Sequence, residues 1–108
     1  MAQLTIHKYK IATSFIDKWL GFQLVLKYKK PLIFKYDKED IYPLHTCFMF
    51  FPLDIIWVDK DNIITDVKYD VKPWKTYVEP KNKSVCFIEF KSGIIPRMKI
   101  GDQIILSK

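Results

Sequence analysis

The chain has 108 residues, 49% of them apolar and 16% aromatic, and carries a formal charge of +6. That length suits one domain with its own core, and the composition excludes a disordered chain. Cys47 and Cys86 are the only cysteines, too few for a disulfide framework or a four-cysteine zinc site. The N-terminus lacks the continuous apolar stretch of a signal peptide, and no run approaches transmembrane length. These features predict a soluble, cytoplasmic protein with free thiols, no membrane association and no cofactor. Seventeen of the eighteen basic residues are lysines, Arg97 being the exception. They are dispersed, the densest group being Lys27, Lys29 and Lys30. Specific nucleic-acid recognition, which draws on guanidinium forks, is disfavoured. Non-specific contact through dispersed lysines stands as one alternative.

In chain order, Leu4–Ile11 reads as the first strand. Ser14 can cap a short helix, with Asp17 at its third position and Phe15, Ile16, Trp19 and Leu20 forming an apolar face. Gly21 suits its left-handed stop. Further strands are predicted at Gln23–Lys27, Leu32–Tyr36 and Leu44–Phe50. Leu53–Val58 is apolar on both faces and rich in β-branched and aromatic residues, the pattern of a central strand. A polar loop, Asp59–Asn62, leads into Ile63–Val71. There the alternation puts Ile63, Thr65, Val67, Tyr69 and Val71 on one face and Asp66, Lys68 and Asp70 on the other, with Ile64 the exception. The segment from Val71 to Ser84 is irregular, carries Trp74 and Tyr77, and predicts a packed flap. Val85–Phe90 is a strand. A second short helix is predicted from Gly93 to Lys99, capped by Ser92, before a Gly101–Asp102 turn and the last strand, Gln103–Leu106. The expected fold class is mainly β: one domain over residues 1–108, a small closed or partly open antiparallel β-barrel with one or two short helices.

Four blocks look familiar. His45-Thr46-Cys47-Phe48-Met49-Phe50-Phe51-Pro52-Leu53-Asp54, running on through Ile55-Ile56-Trp57-Val58-Asp59, resembles the central signature of the domain of unknown function 192 family. Val71-Lys72-Pro73-Trp74 is similar to that family's Pro-Trp segment. Val85 to Leu106, with Glu89, Gly93, Gly101 and Asp102, resembles its C-terminal block, and Ala12-Thr13 through Gly21 its N-terminal block. The resemblance spans nearly the whole chain. Departures are Lys18 for a usual Arg, Cys47 for a usual aromatic, Phe50 for a usual basic residue and Gln23 for a usual Met. The family comprises uncharacterised archaeal and bacterial proteins. The resemblance implies a small, mostly β, barrel-like fold, and it implies no established activity, substrate or cofactor.

The residues that could carry chemistry are few. Asp54 lies in the most apolar strand, and Glu89 shares parity with Val85 and Phe87. Carboxylates in such strands must be paired, hydrogen-bonded or protonated. Facing one cavity, they would make an acid–base pair and a candidate hydrolase centre. Alternatively, each accepts backbone N–H bonds and fixes a turn. His45 and Cys47, two apart on a strand, could join Asp54 as metal ligands, but no further His or Cys lies nearby and a metal is not expected. Both cysteines read as inert thiols. Asp59 and Asp61 mimic the start of a calcium loop, yet Ile64 and Asp70 occupy the places that need Gly and Glu. Phe48, Phe50, Phe51, Trp57, Trp74 and Tyr77 could line a groove or fill the core. The leading expectation is a non-catalytic module binding a small molecule, sugar or peptide. Its cleft would run between the flap at Pro73-Trp74 and the mouth near His45, and His45, Met49, Asp54, Trp74 and Tyr77 would be the ligand-binding residues.

Overall fold

A computed structural model describes residues 1–12, 18, 21–23 and 25–107. Seven strands follow in chain order: β1 Gln3–Ile6, β2 Lys10–Ala12, β3 Leu32–Asp40, β4 Leu53–Val58, β5 Ile64–Val71, β6 Ser84–Lys91 and β7 Gln103–Leu106. They form a five-stranded sheet ordered β2-β3-β6-β4-β5 and a separate two-stranded sheet, β1-β7. The strands do not close into a barrel. The antiparallel expectation holds for the β3-β6, β4-β6 and β4-β5 pairs, whereas β1-β7 and β2-β3 are parallel.

The doubly apolar segment Leu53–Val58 occupies the inner position its composition predicts. Every residue of β4 is buried, because both faces of the large sheet are covered. On one face Ile33, Ile56, Val58, Ile88 and Phe90 pack against Ile6 and Ile104 of the small sheet. On the other, Leu32, Phe34, Leu53, Ile55, Trp57 and Phe87 pack under Phe22, Met49, Phe51 and Val78, which come from connecting segments. The arrangement is therefore a sheet between a strand pair and a layer of loops.

Several expectations need correction. Leu4–Ile11 splits into β1 and β2, which join different sheets. Gln23 and 25–27 are not in a strand; the Val25 N–H turns back to the Phe22 carbonyl at 3.2 Å. Leu44–Phe50 makes a single bridge, Leu44 to Val78, and then turns. Phe48 has a φ of 62°, which no extended strand accommodates. The helix at Gly93–Lys99 is absent. Gly93 is left-handed at φ 88°, and the Pro96 ring and missing N–H disfavour a helical turn. The helix expected from Ser14 falls on 13–17, 19 and 20, outside the described residues.

The predicted parity of β5 also fails, for a reason visible in the register. Val58 pairs with Ile64 but Trp57 pairs with Asp66, so Thr65 is an extra residue; a second irregularity lies between Leu53–Val71 and Ile55–Lys68. Each bulge inverts the alternation. Ile64 and Val67 thus share one core cluster, and Val71 packs against the other. Asp66, expected on the polar face, is buried and accepts N–H bonds from Val67 and Lys81, both at 2.8 Å.

The two predicted turns form as expected. The Asp59 carboxylate accepts the Asp61 and Ile63 N–H groups at 2.9 and 3.0 Å. Asp102 accepts the Ala2 and Lys99 N–H groups at 3.0 and 2.8 Å, which hold its carboxyl below the usual range.

Candidate functional site

Cross-strand partners share a face. Glu89 of β6 stands between Leu32 and Ile55, and Asp54 of β4 is opposite Phe90. The two carboxylates are therefore on opposite faces of the sheet. Asp54, 2% exposed, accepts the Asp70 N–H at 2.8 Å and the Gly93 N–H at 3.2 Å. It ties the end of β5 to the turn after β6.

Glu89 is equally buried, at 2% exposure, but its situation is different. Its Oε1 has no hydrogen-bond partner among the described residues. Burial pushes its carboxyl up to about 8, so the neutral acid prevails at pH 7. The side chain lines a cavity of about 180 Å³, together with Phe34, Tyr36, Leu44, His45, Met49 and Phe87. Lys18, Gly21, Gln23 and Pro43 complete the wall. Gly21 closes over the carboxyl. Its backbone is left-handed at φ 50°, and a Cβ there would come 3.5 Å from Glu89 Oε1 and 3.3 Å from the Phe34 ring. The left-handed backbone and the close Phe34 ring both favour glycine here.

The other polar groups around the cavity are already engaged. The Lys18 ammonium donates to the Lys35 carbonyl at 2.7 Å and sits 4.4 Å above the Tyr36 ring. His45 Nδ1 accepts the Cys47 N–H at 3.2 Å, which assigns the imidazole proton to Nε2. Tyr36 stacks on Tyr42 at 3.9 Å. Its phenol is raised by burial first, then by Tyr42 and Glu89.

Of the sequence-predicted ligand residues, the cavity gathers His45 and Met49 with Glu89, and omits Asp54, Trp74 and Tyr77. Trp74 and Tyr77 are exposed, at 59% and 63%. Tyr77 lies in a separate shallow groove with Lys68, Lys72, Lys75 and Glu79. Trp74 packs edge-on against Phe48, centroids 4.9 Å apart, and both residues have left-handed backbones, φ 67° and 62°. Phe51 and Trp57 are core, as the bland expectation for aromatics has it. Cys86 is buried, and desolvation pushes its thiol up to about 12. No group of three or more His, Cys, Asp or Glu able to hold a metal occurs among the described residues. Nor is any of their helices long and apolar enough to cross a membrane.

Thr46 holds the loop and the flap together. Fully buried, its Oγ1 donates to the Lys72 carbonyl at 2.6 Å and accepts the Lys75 N–H at 2.9 Å, while its backbone pairs with Lys75 and Trp74. Thr46→Val keeps the shape and leaves the Lys75 N–H unmet. A loss of about 2 kcal/mol in denaturant unfolding is expected, with faster tryptic cleavage after Lys75. Unchanged values on both counts would show that the flap is held by other contacts.

Sequence reasoning missed Gly21, Phe34, Tyr36 and Phe87 as wall residues. Only the parity of Phe87 with Glu89 could have signalled one of them. Gly21 reads as a helix stop, and its approach to Glu89 joins positions 68 residues apart.

Taken together, these features define a mainly β fold with a sheet covered on both faces and a buried acid in a side cavity. The chain belongs to the DUF192 family, described as Uncharacterized ACR, whose profile matches residues 5–106. It is 34% identical over 105 residues to UPF0127 protein PH1112 of Pyrococcus horikoshii, covering 88% of this chain and 84% of that one. It is 28% identical over 102 residues to UPF0127 protein TK1120 of Thermococcus kodakarensis, covering 93% of this chain. The chain spans only 64% of the length of that relative. A crystal structure of a protein of unknown function from Novosphingobium aromaticivorans shares the fold, with a TM-score of 0.78 at 20% identity over 88% of this chain and 71% of that one.

Proposed function

We propose that this protein is a non-catalytic small-molecule-binding module whose ligand occupies the cavity bounded by Glu89, His45, Tyr36 and Met49. The observation that carries this reading is the unpartnered Oε1 of Glu89 in a cavity wall. A buried polar atom without a partner costs roughly 1–3 kcal/mol, a cost that a bound ligand supplying the missing hydrogen bond removes. The rest of the wall mixes aromatic and aliphatic side chains with the polar groups of Lys18, Gln23 and His45, which can orient a ligand. A volume near 180 Å³ favours a small molecule or a single ring over a peptide. A hydrolase built on Asp54 and Glu89 lacks comparable support, since the two carboxyls do not share a pocket.

The test is protein-observed NMR against a panel of small metabolites and single sugars. Gly21, Tyr36, His45 and Met49 amides are expected to shift together. Shifts confined to the flap at Trp74 and Tyr77, or scattered over the surface, would overturn the assignment.

A further inference from the structure

The charge class of the ligand follows from how the cavity is equipped, and it rests on the ligand-site reading above. We infer that the occupant is an uncharged molecule bearing a carbonyl, hydroxyl or ether oxygen, which accepts a hydrogen bond from the neutral carboxyl of Glu89. Binding therefore requires that Glu89 keep its proton.

Three observations carry this. First, no cation among the described residues is placed to neutralise an ionised Glu89. The one ammonium in the cavity wall, Lys18, is held at the Lys35 carbonyl and over Tyr36. Second, the Glu89 side chain is buried between Leu32 and Ile55 on neighbouring strands and beneath Gly21. A charge there would lose its hydration without replacement. Third, Phe34, Tyr36, Phe87, Leu44 and Met49 line the same cavity beside Glu89, which gives the apolar part of an uncharged ligand a surface to pack on. A cationic ligand would need an ionised Glu89 and would meet Lys18 in the same wall. An anionic ligand would face a lysine already engaged and a carboxyl that resists ionisation.

The titratable groups lining the cavity are Glu89, Lys18, Tyr36 and His45. The Tyr36 phenol is raised, so it stays neutral through the range that matters. Loss of the Glu89 proton, centred at about 8, is then the event that turns the donor off.

The experiment titrates benzamide, cyclohexanone and cyclohexanol as uncharged probes, benzylamine as a cation and benzoate as an anion, following the Gly21, Tyr36 and His45 signals. The uncharged probes are expected to bind best. Their affinity should fall about tenfold from about pH 7 to about pH 9, as the protonated fraction falls. Glu89→Gln keeps an amide donor and cannot ionise, so its affinity should be independent of pH over that range. Benzylamine binding best, with affinity rising with pH, would overturn the inference and leave the ligand site standing, as would a preference for benzoate. The same pH dependence in Glu89→Gln as in the natural chain would also overturn it. Failure of every probe to move these signals would remove the underlying site as well.

Discussion

Replacing Glu89 with glutamine is expected to flatten the pH dependence of folding stability between about pH 5 and about pH 8. In the unfolded chain this carboxyl ionises near its ordinary value of 4.5, and in the fold near 8. Below the lower value both states are protonated and the group adds no pH dependence. Between the two values the unfolded chain binds fewer protons than the native one, so stability falls as pH rises, by up to about 1.4 kcal/mol per pH unit. Above the upper value the loss is complete. Integrated over the window, a difference on the order of 2–4 kcal/mol should separate the natural chain from Glu89→Gln at pH 8, relative to pH 5. Asp70 and Asp102 act in the opposite sense. Both are lowered, by the Lys72 and Ser92 hydrogen bonds in one case and by the Lys99 and Ala2 N–H groups in the other. Their contribution is present above the ordinary carboxylate range and lost as pH falls below it. Denaturant unfolding at a series of pH values checks this. Parallel curves for the two proteins would mean that Glu89 is ionised in the fold.

Asp54→Ala is expected to destabilise the fold by about 3 kcal/mol, lowering the melting temperature by roughly 10–20 °C. Removing the carboxylate leaves the Asp70 and Gly93 N–H groups without their acceptor, each a loss of roughly 1–3 kcal/mol where water cannot enter. Asp54→Asn keeps one acceptor oxygen and turns a donor toward the other N–H, so an intermediate loss is expected. Probe affinity in the Glu89 cavity, measured on the folded fraction, should be unchanged in both, because Asp54 does not line it. Melting curves that show no ordering of the natural chain over Asn over Ala would mean that the carboxylate does not hold this corner. Matching losses of affinity and stability would return Asp54 to the binding site.

The unequal fates of these two carboxylates show how far one chain of letters reaches. Both sit in apolar strands, and the sequence demands only that each be paired, bonded or neutral. It does not say which. Asp54 meets backbone donors because Gly93 and Asp70 are brought to it by the turn after β6 and the bulged end of β5. Glu89 Oε1 meets none among the described residues, and Gly21, a remote position, lies against it.

What the sequence alone determined is the β-rich class, the inner position of Leu53–Val58, the hairpin at Asp59–Asn62 and the turn at Gly101–Asp102. Each rests on local rules, namely side-chain alternation and turn chemistry acting over a few residues. Tertiary structure alone decided that the sheet stays open, that β1-β7 and β2-β3 are parallel, and that Leu44–Phe50 is a loop. It also decided that the cavity lies on the Glu89 face, with Asp54, Trp74 and Tyr77 outside its wall. Those outcomes depend on strand register and on contacts between distant segments. A single bulged residue inverts every side chain that follows it, and nothing in the composition of β5 announces where that residue falls.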